Sequence, residues 1–402
     1  MRTVLFVAPF LMEATLKFVQ AAATVPNARI IVLTADHADK VPAPCVHYHV
    51  ADPTSAGQLI AAGRAIAKES GPIHRVIGIL ENVQEQIAMV REALGVSGPD
   101  VATAERFRDK SIMKDALRAA GLPCARHKLL FTQADAHAFV REVGFPIVLK
   151  PPAGAGCKAT YRLSDAAALA AALAEIRPSP DRVVLAEEFV QGDEHCYDAI
   201  TIAGKTVFQN IGRYYPGPLD VTRNDWIQWC VVLPRDISGP EYDPVRKVGP
   251  AVIKALGLRT GMTHMEWFRR PDGTPVVSEI GARPPGAQFV SVMSYVHDRS
   301  MYVAWAQAVI DDKVEGPFER KYAAGVAFLR GPGSGRVSRV ENLDKAQGLM
   351  GKLVVEAQLP VVGREKSTGY EGDGFVIVRH TDTAVVESAL ETLIRTVQVH
   401  YE

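Results

Sequence analysis

Two stretches decide how this chain folds: His264-Met265-Glu266-Trp267-Phe268 and Val276-Val277-Ser278-Glu279-Ile280-Gly281-Ala282-Arg283-Pro284-Pro285-Gly286. Both read as strands. The Arg270-Pro271-Asp272-Gly273 between them is a turn signal, so the pair reads as a hairpin. One glutamate stands in each strand among apolar neighbours, where an unpaired carboxylate costs several kcal/mol. Two strand carboxylates brought together repel each other unless a proton or a cation lies between them. Mg²⁺ suits such a pair, with water and phosphate oxygens in its remaining positions, and Mn²⁺ is an acceptable substitute. Taken alone, the pair could equally face solvent or meet arginines, because charged residues on one face of a hairpin are common.

Upstream, a short strand ends in Lys150 and runs into Pro151-Pro152-Ala153-Gly154-Ala155-Gly156-Cys157. Small residues after a strand let backbone N–H groups approach phosphate oxygens while an ammonium neutralises them. Such glycines are also the default in an ordinary turn, so this piece is weak by itself. Further on, Glu187-Glu188-Phe189-Val190-Gln191-Gly192-Asp193-Glu194 closes an apolar strand with acidic residues. An adenine ring could be met by backbone there and its ribose by a carboxylate; a solvated acidic loop is the plainer alternative.

Jointly and in this order, the pieces resemble the ATP-grasp superfamily over about residues 101–312. The resemblance rests on Asp109-Lys110 opening a helix that ends in Ala119-Ala120-Gly121-Leu122-Pro123, and on FPIVLKPPAGAGC (145–157). AEEFVQGDE (186–194), HMEWF and SEIGARPPG complete it. It implies a mixed α/β (α+β) ATP-grasp fold with ATP and Mg²⁺ as cofactors. Lys110 and Lys150 match the lysines on the ATP phosphates, and the loop with Gly154 and Gly156 matches the phosphate loop. Glu187 with the backbone of Phe189 and Val190 matches the adenine hinge, and Glu194 the ribose carboxylate. Glu266 and Glu279 match the metal ligands, and Arg283 the arginine at the transferred phosphate. The chain departs from the pattern at Cys157 and Ala159, where Ser and Gly are usual, and at Gly281, where many members have Asn. The EIGARPPG variant looks most like the branch that joins amino acids.

The flanks extend this picture. Residues 1–100 alternate strand and helix signals, as in a parallel α/β unit, and lack G-x-G-x-x-G after the first strand. They resemble the pre-ATP-grasp domain. The turn-rich 95–100 marks a boundary, and 313–402 reads as a small mixed C-terminal unit. At 402 residues, one hydrophobic core is too little, so three packed units are expected. Lys+Arg equals Asp+Glu at 45 each, which removes the electrostatic case for nucleic acid or an anionic membrane. Scattered cysteines and the lack of a signal-like or membrane-spanning run point to a reduced, cytoplasmic setting.

The expected activity is ATP-dependent ligation of a small-molecule carboxylate to an amine, amino acids among them, by way of an acyl phosphate. A homodimer is compatible with this. The alternatives are a bicarbonate-dependent carboxylase of the biotin carboxylase type and a non-catalytic ATP-binding module. Arg213, with the aromatics from Tyr214 to Trp229, and Arg330 before Gly331-Pro332-Gly333 are the weaker substrate-side candidates, Arg330 as a lid residue.

Overall fold

The computed structural model describes residues 1–154, 159–224 and 226–402. Gly156 and Cys157 lie outside the described residues. The first unit follows its sequence pattern. Strands Arg2–Val7, Ala28–Thr34, Val46–His49 and Ile73–Ile77 form one sheet, with Arg2–Val7 between Ala28–Thr34 and Ile73–Ile77. All pairings are parallel. Parallel neighbours need crossovers, supplied here by helices Glu13–Ala23 and Ala56–Ser70. Helix Gln84–Leu94 then leads out of the sheet towards the next unit.

A second sheet of four antiparallel strands has the spatial order His127–Leu130, Val184–Glu188, Ile147–Lys150, Tyr161–Leu163. Helices Gln133–Val143 and Ala166–Ile176 bury their apolar faces against it, through Phe139, Leu169 and Leu173. The capping box of Thr132 and Asp135 starts the first of these helices.

The third sheet has eight antiparallel strands. Their order is Pro275–Gly281, Gly261–Arg269, Asp193–Ile202, Lys205–Tyr215, Cys230–Leu233, Ala323–Leu329, Gly374–His380, Val354–Gln358. The stretch 195–233, extended by its sequence, is thus most of two long strands, a short helix Pro218–Arg223, and a third strand. The boundary expected near 312 falls after helix Met301–Asp311, yet the residues beyond it do not build a sheet of their own alone. Three of their strands continue the large sheet, Ala323–Leu329 pairing with Cys230–Leu233. That strand is buried along its whole length, so it needs partners on both edges and cover on both faces. A separate two-stranded pair, Val337–Glu341 with Gln398–Tyr401, completes the C-terminal part.

One cleft takes walls from every unit. Val148, Lys150 and Glu187 come from the small sheet; Glu194, His264, Glu266 and Glu279 come from the large sheet. Glu81 arrives from the first unit and Tyr370 from the C-terminal part. Among the described residues, no helix is long and apolar enough to cross a membrane.

Candidate active site

The floor of the cleft follows from strand register. Glu266 pairs with Glu279 on one side and with Cys196 on the other. Paired residues of antiparallel strands share a face, so the two glutamates project together. One step along the same face, His264 pairs with Gly281 and Asp198; in the other direction Phe268 pairs with Glu194. Three carboxylates therefore crowd one patch. Burial and the Glu279 carboxylate push Glu266 up, and burial with Glu266 and Glu279 pushes Glu194 well above the ordinary carboxyl range. Glu279 goes the other way, to about 2. Against the cost of burial, the ammoniums of Lys110 and Lys150 hold it ionised.

Two lysines reach this patch from different elements. Helix Lys110–Ala119 starts at the N-cap Asp109, whose Oδ1 accepts from the Ser111 and Ile112 N–H groups. The Lys110 N–H donates to the Pro152 carbonyl, which ties the helix start to the glycine loop. Lys110 Nζ lies 3.1 Å from Glu279 Oε2 and 3.0 Å from the Gly154 carbonyl oxygen. Lys150, at the end of its strand, places Nζ 2.9 Å from Glu187 Oε2.

The sequence missed three contributors. Lys114, one turn after Lys110 on the same helix face, has a fully buried side chain. Its ammonium lies 3.4 Å from Glu187 Oε1 and donates to the Ser278 carbonyl at 2.6 Å. The Lys-x-x-x-Lys spacing was the signal available. Asp198, also fully buried, lies 2.6 Å from His264 Nδ1 and accepts from Asn210 Nδ2 at 2.9 Å. That contact fixes the imidazole, whose Nε2 stands 3.9 Å from Glu266 Oε1. Glu81, the third, holds the Arg283 Nε at 2.6 Å.

The remaining candidates fall as follows. Glu187 is buried, and its carboxylate is taken up by Lys114 and Lys150. Phe189 donates its N–H to Pro146 and carries the Arg162 guanidinium 4.1 Å over its ring; Phe189 and Val190 both line the cleft. Gly154 lines it too. Arg213 lines an adjoining groove beyond Glu194, with its guanidinium bonded to the Tyr242 hydroxyl and to Glu387 at 3.3 Å. Arg330 is buried at the end of strand Ala323–Leu329, outside the residues lining the cleft. The inner end is aromatic: Tyr214, Trp229, Phe289 and Tyr370 line it, with Tyr370 set edge-on to Trp229 at 5.1 Å.

Residues 143–291 match the ATP-grasp domain model, so the chain carries an ATP-grasp domain. Among known proteins it is similar to the uncharacterised protein y4rH of Sinorhizobium fredii, at 25% identity over 90% of this chain and 77% of that protein. It is also similar to the L-arginine-specific L-amino acid ligase of Bacillus subtilis, at 25% identity over 54% of this chain; the match spans about half of that enzyme, 52%. The fold is that of the L-amino acid ligase from Bacillus licheniformis, with TM-score 0.81 and 20% identity, covering 100% of this chain and 99% of that one. The N5-carboxyaminoimidazole ribonucleotide synthetase of Thermotoga maritima follows at TM-score 0.73 and 18% identity, with 100% of both chains covered.

Proposed function

We propose that this protein is an ATP-dependent carboxylate–amine ligase that forms an amide or peptide bond through an acyl phosphate. One observation carries the reading. Lys110, Lys150 and Arg283 line the same cleft as Glu194, Glu266 and Glu279, with phosphate-type cations beside a patch of crowded carboxylates. Amino acids as substrates are supported by the names of the similar ligases from Bacillus.

In this reading Lys110 and Lys150 gather the β- and γ-phosphates beside Gly154. The segment Glu187, Phe189 and Val190 receives adenine through its backbone, and Glu194 takes the ribose hydroxyls. Glu266 and Glu279 fit Mg²⁺, or Mn²⁺, because their register brings two carboxylates together in an acid-crowded, largely buried patch. The metal, when bound, supplies charge neutralisation at the phosphates.

A substrate carboxylate oxygen attacks the γ-phosphorus as the bond to the ADP oxygen breaks. Arg283 meets the transferred phosphate with its planar fork. The neutral amine then attacks the acyl carbon, the C–O bond to phosphate breaks, and the amine proton leaves to water. Positioning and charge stabilisation do most of the work in such a transfer. Arg213 and Arg330 stay as weaker substrate-side candidates, outside the cleft lining.

The test is phosphate release with Mg·ATP across paired amino acids and simple carboxylates, followed by mass spectrometry of the products. The expected result is ADP together with an amide product. ADP release that requires bicarbonate would replace this reading with a carboxylase. Tight ATP binding without phosphate release from any acceptor would leave a nucleotide-binding module.

A further inference from the structure

Gly281 and Glu81, 200 positions apart in sequence, share one small volume. A Cβ built on Gly281 would lie 3.1 Å from Oε2 of Glu81 and 3.6 Å from Cγ of Arg283. The same Oε2 accepts from Arg283 Nε at 2.6 Å, while Oε1 lies 3.8 Å from Arg108 Nη1. Arg283 Nη1 donates to the Pro284 carbonyl at 2.9 Å, so two edges of the guanidinium are fixed by the protein. Glu81 is itself held on a braced turn. Gln84 Nε2 donates to the Gly78 and Leu80 carbonyls at 3.3 and 3.0 Å.

We infer that Glu81 is a positioning residue that sets the Arg283 fork, and that Gly281 is glycine to admit it. The first unit thereby contributes a working part to the site. The inference rests on the ligase reading for what Arg283 does, but the clamp itself does not. It also gives the missing side chain at 281 a physical reason: a Cβ there would crowd the incoming carboxylate, which would have to give by a few tenths of an ångström. Introducing asparagine there, the residue of the pattern that this sequence resembles, is therefore expected to harm the site.

The test uses the full-length protein with Glu81→Gln, Gly281→Asn and the double variant. Mg·ADP affinity, measured by calorimetry, should stay within about twofold, because Arg283 serves the transferred phosphate and not ADP. The kcat for phosphate release should fall on the order of ten- to a hundredfold in each single variant, the scale of a misplaced catalytic group. The double variant should be no worse than the weaker single, because both lesions break one clamp. Multiplying losses, an unchanged kcat, or ADP affinity lost in parallel would overturn the inference.

The Arg283 Nε–H resonance, assigned by its absence in Arg283→Lys, gives a readout independent of turnover. It should exchange slowly in the parent protein and measurably faster in both single variants, a neutral amide being a weaker acceptor than a carboxylate. If no acceptor pair is turned over, the ligase reading fails while this signal still decides the clamp. Fast exchange in the parent protein refutes it.

Discussion

Glu187→Gln separates two roles for a residue that sequence places at the adenine. In the structure its carboxylate lies between two ammoniums, Lys150 at 2.9 Å and Lys114 at 3.4 Å, and is itself only 5% exposed. The substitution removes the one formal charge that both lysines face through that group. Removing one partner of a buried ion pair costs about 3–5 kcal/mol. The amide oxygen still accepts one hydrogen bond, which returns about 1 kcal/mol, leaving about 2–4 kcal/mol. Glu187 sits in the central part of the small sheet, so the loss should appear there as faster amide hydrogen exchange in Ile147–Lys150 and Val184–Glu188. At 1.4 kcal/mol per decade, the expected acceleration is about thirty- to several hundredfold.

Acid should report the same clamp. Against the cost of burial, Lys114 and Lys150 lower the Glu187 carboxyl below its ordinary value. A depressed carboxyl stabilises the fold above its unfolded pKa, and that stabilisation is lost as pH falls through the folded value. The parent protein should show this loss on the acid side and Glu187→Gln should lack it. Glu188→Gln is the control: its partner Arg126 is half exposed, so the change should stay under about 1 kcal/mol. If exchange in the small sheet rises less than threefold in Glu187→Gln while ATP affinity collapses, the side chain serves adenine and the clamp argument is wrong.

Two further variants test the floor and rim of the cleft. Glu279→Ala should weaken Mn²⁺ binding, followed by electron paramagnetic resonance, and lower phosphate release more than about tenfold, since a metal ligand carries several kcal/mol of charge stabilisation. A smaller drop with Mn²⁺ affinity intact would remove Glu279 from the metal set. Arg213→Ala should change the acceptor KM less than about threefold, because its guanidinium already serves Tyr242 and the half-exposed Glu387, a pair of modest worth. A tenfold rise in acceptor KM would make it a substrate residue.

Much of this architecture was legible because its signals are local. The strands with short apolar runs, such as Ile147–Lys150 and the start of Pro275–Gly281, and the helix stopped by Gly121 and Pro123 announce themselves within ten residues. Helix Phe289–His297 did not: it is buried on most sides, so no polar face marks a period. Helix Val101–Arg108 escaped for the opposite reason, its polar residues following a turn-rich segment although Asp100 caps it. Val46–His49 has two histidines where an apolar run would be looked for.

The site divides along the same line. Lys110, Lys150, Glu194, Glu266 and Glu279 sit in ordered motifs, and the fold brings all five to the cleft lining. What the motifs leave out is the set of groups that hold them. Lys114, Asp198 and Glu81 have no motif of their own, because each answers to a partner distant in sequence: Glu187, His264 and Arg283. A buried charge is tolerated only when it is paired, so these partners are obligatory, yet pairing across a fold leaves no spacing to read. Apart from the Lys-x-x-x-Lys spacing of Lys110 and Lys114, the trace they leave is negative. Gly281 departs from the resembled pattern in the sequence, and in the structure the carboxylate of Glu81 stands 3.1 Å from where a side chain there would begin. A departure from a family pattern is thus best treated as a question about which neighbour has moved in, and here the neighbour belongs to a different unit of the chain.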